Sequence, residues 1–173
     1  MLLTEAIKLI DNKEINNDQA EHWADFGCGT GLFTKALASI IKTGSTITAI
    51  DKNSDSLKKL NGVFNGVTIE TLQEDFTTAK FSAPLNGILM ANALHYVADQ
   101  QNFAGHLKTL LKEKGSIVIV EYDTDKSNPW VPYPVNYNKL VLLFQQQDFL
   151  SIELIGRQSS VYGAEMYSVI IKN

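Results

Sequence analysis

Ala24-Asp25-Phe26-Gly27-Cys28-Gly29-Thr30-Gly31-Leu32-Phe33-Thr34 sets three glycines at alternate positions between an apolar run and a helical pattern. It reads as the end of a buried strand, a tight loop and the start of a helix. Glycine leaves the backbone bare where it must turn and where a ligand must come close. A dinucleotide-binding loop is spaced Gly-x-Gly-x-x-Gly. Here the spacing is Gly27-x-Gly29-x-Gly31, and Leu32 stands where the last glycine would be. The strand before the loop is His22 to Phe26. After it, Leu32, Phe33, Ala36, Leu37, Ile40 and Ile41 share one helical face.

Further along the chain the alternation continues. Ile47-Thr48-Ala49-Ile50 is a second strand with Asp51 at its C-terminal end. A carboxylate there can accept hydrogen bonds from both hydroxyls of a ribose; the plainer alternative is a solvated acid or a helix cap. Ser54 to Leu60 is a short helix capped by Ser54, Val67 to Leu72 a third strand, and Gly87 to Ala91 a fourth. The fourth is nearly all apolar, as in a strand covered on both faces. Asp99 caps a helix with Phe103, Leu107, Leu110 and Leu111 on its inner face, and Lys112-Glu113-Lys114-Gly115 closes it. Ser116 to Tyr122 is the fifth strand.

Strand alternating with helix implies a parallel sheet with right-handed crossovers. Three of the four prolines then fall in Ser127 to Pro134, an extended loop. A helix follows at about Asn138 to Gln147. The last two strands, Ser151 to Ile155 and Glu165 to Ile171, are too close together for a helical crossover and should pair antiparallel. Before the first strand, Leu3, Ala6, Ile7 and Ile10 predict a short helix.

The chain has 173 residues, 45% of them hydrophobic and 20% charged, and suits one domain over 1–173 with a real core. A net charge of -4 without any Lys or Arg run argues against a nucleic-acid partner. Cys28 is the only cysteine, which excludes an intramolecular disulfide and a cysteine metal cluster, and no metal site is expected. No apolar stretch approaches the roughly 20 residues needed to span a bilayer. The N-terminus lacks the basic start of a signal peptide, so no membrane role and a cytoplasmic location are expected.

These features resemble the class I S-adenosylmethionine-dependent methyltransferases. The likeness rests on Asp25-Phe26-Gly27-Cys28-Gly29-Thr30-Gly31, Ile50-Asp51, Glu74-Asp75-Phe76, Asn92 to Val97 and Leu110 to Ser116. It implies an α/β Rossmann-like three-layer sandwich, with a seven-stranded, mostly parallel sheet in the order 3-2-1-4-5-7-6 and strand 7 antiparallel. It implies S-adenosyl-L-methionine as cofactor. Asp25, Gly27 and Gly29 would lie at its methionine part and Asp51 at its ribose, with Phe26 and Lys52 also among the cofactor-binding residues. Asp75 would be at the adenine amino group, Phe76 at the ring and Asn92 near the sulfonium.

His95 is the candidate catalytic base for taking a proton from an acceptor; the plainer alternative is packing beneath the cofactor. His22 and His106 read as structural. Tyr96, Tyr122, Trp130 and Tyr133 would wall a substrate pocket or simply anchor their own loop, and Tyr162 would add to that wall. The expected acceptor is a small organic molecule, because the rim loops are aromatic rather than basic. Few residues precede the first strand, so the site is either shallow or covered by a second copy or a partner chain. The competing reading is a non-catalytic S-adenosylmethionine-binding subunit of a larger complex. A nicotinamide-dependent oxidoreductase is opposed by the glycine spacing.

Overall fold

A strand covered by helices on both faces must bury nearly every side chain. β5 (Leu85–Ala91) and the second half of β6 (Leu111–Tyr122) are two of the strands that do so here. A computed structural model describes residues 1–15, 18–159 and 165–173. Around those two strands lie α1 (Leu3–Ile10), β1 (His22–Phe26), α2 (Leu32–Ala38), β2 (Thr46–Asp51) and α3 (Ser54–Leu57). Then come β3 (Gly62–Phe64), β4 (Val67–Gln73), a 3₁₀ turn (Leu94–Tyr96) and α4 (Gln100–Leu110). The chain ends with α5 (Tyr137–Gln145), β7 (Ser151–Ser159) and β8 (Glu165–Lys172).

Among the described residues the sheet has eight strands, in the order β3-β4-β2-β1-β5-β6-β8-β7. β4, β2, β1, β5 and β6 run parallel, and β8 is antiparallel to both β6 and β7. This is the expected order with one strand added, because the expected seven strands are joined at the edge by β3. β3 pairs antiparallel with β4 through a two-residue turn in which Asn65 has φ 52° and Gly66 φ 77°. Asn-Gly is the usual sequence for a turn with both central residues left-handed.

Three local expectations are corrected. α2 ends at Ala38, short of Ile41. The cap of α3 is Asn53, whose side chain accepts from the Asp55 N–H, and Ser54 is inside the helix. Lys112 to Gly115 belong to the irregular start of β6, where Leu85 pairs with Leu111 but Gly87 pairs with Ser116. The intervening residues bulge out to absorb the mismatch in spacing. Asp99 caps α4 as expected, accepting from the Asn102 N–H.

Period-two alternation divides the core. Ile117 and Ile119 face one side with Phe103, Leu107 and Phe144, from α4 and α5. Val118 and Val120 face the other with Leu9, Phe33 and Leu37, from α1 and α2. Among the described residues no helix is long and apolar enough to cross a membrane. The common direction of the parallel strands brings Phe26, Asp51, Gln73, Ala91 and Tyr122 to one rim, where open parallel sheets take their ligands.

Candidate functional site

The glycine loop is stitched to the end of β2. The Gly27 and Cys28 N–H groups both donate to the Ile50 carbonyl, at 2.9 and 3.0 Å. The Gly29 N–H donates to Asp51 Oδ2 at 2.8 Å, and Asp51 Oδ1 accepts from the Asn53 N–H at 2.8 Å. These donors are therefore spent inside the protein, and the loop is no cradle for phosphate oxygens. Gly27, Gly29 and Gly31 have φ of 71°, 51° and 83°. A Cβ on Gly27 would lie 2.8 Å from the Ala93 Cβ, and one on Gly31 would overlap Leu60; at Gly29 it would meet nothing within 4 Å. Two of the glycines permit packing, and the third leaves open space. Burial pushes the Cys28 thiol pKa up, so it is not a thiolate nucleophile.

Asp25 is the penultimate residue of β1, at 1% exposure. Its Oδ2 accepts from Thr34 Oγ1 at 2.6 Å, while Oδ1 has no partner. Burial pushes its pKa up to about 7, helped by the charge of Asp51 and opposed by the Thr34 hydrogen bond. The folded-state value lies above the ordinary 3.8, so between the two values the folded protein holds a proton that the unfolded chain releases. Its stabilising contribution is complete below that ordinary value and is lost as pH rises through about 7. Urea unfolding should show stability falling over that window by on the order of 4 kcal/mol from this group. Asp25→Asn should remove that slope, and an equal slope in the variant would show that another group causes it.

Asn92 follows β5 with φ 52°, and its buried Oδ1 also lacks a partner. Asp75 lies one turn after β4. Its Oδ2 is 2.9 Å from Lys52 Nζ, and Oδ1 accepts from the Thr77 N–H and hydroxyl. Burial works against this carboxylate, but the bonds from Thr77 and Lys52 prevail and hold its pKa below the usual range. The rings of Phe26 and Phe76 stack at 5.8 Å within the core, and the Phe76 ring packs against the loop, 3.4 Å from where a Gly27 Cβ would stand.

Next to Asn92 opens a cavity of about 1030 Å³. Asn92, His95, Tyr96, Tyr122 and Trp130 line it, with Val131 and the polar Asp123, Thr124, Lys126, Asn128 and Glu165. The structure thus brings His95 together with three of the four described aromatic candidates. Tyr133 is not on the lining; its backbone accepts from Gln100 and donates to the His95 carbonyl at 3.0 Å, which anchors the loop. Tyr162 lies outside the described residues. His22 Nε2 is 2.9 Å from Thr48 Oγ1 on the sheet, away from the cavity lining. Sequence reasoning missed Glu121, whose buried carboxylate contacts the cavity-lining His95. An acid directly after the apolar run Ile117 to Val120, within the same strand, was its signal, since a buried carboxylate needs a partner.

The loop, the acid ending β2 and the rim cavity define a nucleoside-binding α/β fold of the class I methyltransferase kind. The chain belongs to the methyltransferase-domain family, whose profile matches residues 4–152. No curated protein sequence matches it. Among solved structures it is similar to the YcgJ protein of Bacillus subtilis (TM-score 0.72, 10% identity, 99% of this chain and 97% of that one). It is also similar to the 1,6-didemethyltoxoflavin-N1-methyltransferase of Burkholderia thailandensis (TM-score 0.73, 16% identity, 99% and 77%). A third is the N-methyltransferase NodS of Bradyrhizobium japonicum (TM-score 0.70, 15% identity, 99% and 93%). At such identities the likeness is one of fold.

Proposed function

We propose that this chain is a single catalytic domain, working in the cytoplasm, that transfers a methyl group from S-adenosylmethionine to a small organic molecule. The observation that carries this reading is that the glycine loop, tied to Asp51, packs against Ala93, the neighbour of Asn92 on a cavity with aromatic walls and a histidine. The residues fit the cofactor by their donor chemistry. Asp25 Oδ1 and Asn92 Oδ1 are unpartnered acceptors, suited to an ammonium group, and the open side of Gly29 admits a close approach. Asp51 retains lone pairs for ribose hydroxyls, and Asp75 beside Lys52 for the adenine amino group.

When bound, the cofactor supplies a sulfonium-activated methyl group. The protein's part is to hold an acceptor lone pair in line with it and to exclude water. Tyr96, Tyr122 and Trp130 offer apolar faces on which a planar acceptor can stack. In support, the Burkholderia thailandensis relative was crystallised with 1,6-didemethyltoxoflavin and S-adenosylhomocysteine.

The test is label transfer. Methyl-labelled cofactor incubated with the protein and a cell extract should label a small-molecule fraction. Label in RNA would overturn the acceptor class, and label only after another protein is added would favour the non-catalytic subunit. Asp51→Ala orphans the Gly29 and Asn53 N–H groups and removes the ribose acceptor. S-Adenosylhomocysteine binding should weaken by roughly 1–3 kcal/mol in calorimetry. Unchanged affinity in a folded variant would remove Asp51 from the site.

A further inference from the structure

Glu121 is the penultimate residue of β6, its side chain 1% exposed, and both of its oxygens serve one residue. Oε1 accepts the His95 backbone N–H at 3.1 Å, and Oε2 lies 2.7 Å from His95 Nδ1. An ionised carboxylate offers only acceptors, so the proton of the ring contact sits on Nδ1. In the neutral ring that leaves the lone pair on Nε2. Among the described residues Nε2 makes no hydrogen bond, and His95 lines the cavity. The Tyr96 ring lies 4.4 Å from the imidazole between centroids, and Tyr122 lies at 6.3 Å. Trp130, 79% exposed, completes a wall of ring faces.

We propose that Glu121 is a positioning residue that locks His95 as the Nδ1–H tautomer with its Nε2 lone pair on the cavity, and that the acceptor is a planar aromatic molecule bearing a hydroxyl or ring N–H. This rests on the methyl-transfer reading and narrows its substrate. A base is useful only where the acceptor must lose a proton. The acceptor oxygen or nitrogen bonds to the methyl carbon, and the carbon–sulfur bond breaks with its electron pair left on sulfur. The acceptor's proton passes to His95 Nε2. The resulting imidazolium already touches a carboxylate, which stabilises it at the moment it forms. A tertiary amine or thioether acceptor has no such proton and would make the pair idle.

Glu121→Gln separates this role from a structural one. Glutamine has one acceptor oxygen where glutamate has two. If the His95 N–H keeps that oxygen, the amide NH₂ faces Nδ1 and the ring proton moves to Nε2. Multiple-bond proton–nitrogen spectra of the ¹⁵N-labelled full chain read this directly. The three histidines are separable, and His95 is assigned by its loss in His95→Gln. The wild type should show the Nδ1–H pattern and Glu121→Gln the Nε2–H pattern. Label transfer to the small-molecule fraction should fall ~10²–10⁴-fold in that variant. S-Adenosylhomocysteine affinity should not change.

An Nε2–H ring in the wild type, or undiminished transfer in Glu121→Gln, would overturn the proposal. The wild-type spectrum decides even if the variant fails to fold. The labelled product should be an aryl ether or an N-methyl heteroaromatic, and label in a sulfonium or a quaternary ammonium product would overturn the acceptor class. Failure of the wild type to bind S-adenosylhomocysteine is read in a separate titration and would overturn the methyl-transfer reading itself.

Discussion

His95→Gln should lower methyl transfer by ~10²–10⁴-fold while leaving S-adenosylhomocysteine affinity nearly unchanged. The substitution suits the site. The side chain it replaces is almost wholly buried and meets a carboxylate at its near end and the cavity at its far end. Glutamine is close in length, and its NH₂ can donate to Glu121 Oε2 in place of the ring N–H. The carboxylate therefore stays partnered and the fold survives, whereas an alanine would leave a buried charge exposed to no donor from this side chain. What glutamine lacks is a basic nitrogen. Comparing kcat with the affinity separates loss of proton transfer from loss of binding. An unchanged rate would mean that the acceptor gives no proton to this ring.

Gly27→Val should unfold the domain or cost it more than about 3 kcal/mol. Two effects add. A β-branched side chain at φ 71° is strained wherever it stands, and its Cβ would lie 2.8 Å from the Ala93 Cβ. Against a typical stability of about 5–15 kcal/mol this is a large share. Gly29→Ala is the matched control. It shares the left-handed backbone, at about 1–2 kcal/mol, but its Cβ meets nothing within 4 Å. It should fold, and its affinity for S-adenosylhomocysteine should drop at least ~10-fold, because the methyl takes the space that the ligand needs. Thermal unfolding and calorimetry on the pair give both readings. A Gly29→Ala protein that binds as well as the wild type would move the ligand away from the bare loop.

The strand order could be read because burial leaves a mark on composition. Runs such as Gly87 to Ala91 and Ile117 to Val120 are apolar because helices cover both faces. β3 left no such mark: Val63 is exposed, and of its three edge residues only Phe64 packs partly on the core, too little to impose a pattern. Its only trace is the Asn65-Gly66 turn. The rim positions Asp25, Gly29, Asp51 and Asn92 were legible as ends of strands, since a parallel sheet sends those ends to one side.

The contact between Glu121 and His95 was not legible. It joins the end of β6 to the turn after β5 by a strand pairing that local sequence does not encode. Nor could sequence tell Trp130, on the cavity, from Tyr133, whose backbone ties the same loop to α4 and to His95. Proline and aromatic content predicts that loop, but which ring turns inward depends on its anchors.

The most direct measurement is a calorimetric titration of S-adenosylhomocysteine into the folded wild-type chain. One saturable site per chain, weakened in Asp51→Ala, is the predicted result. A flat titration with well-folded protein would contradict the account at its centre.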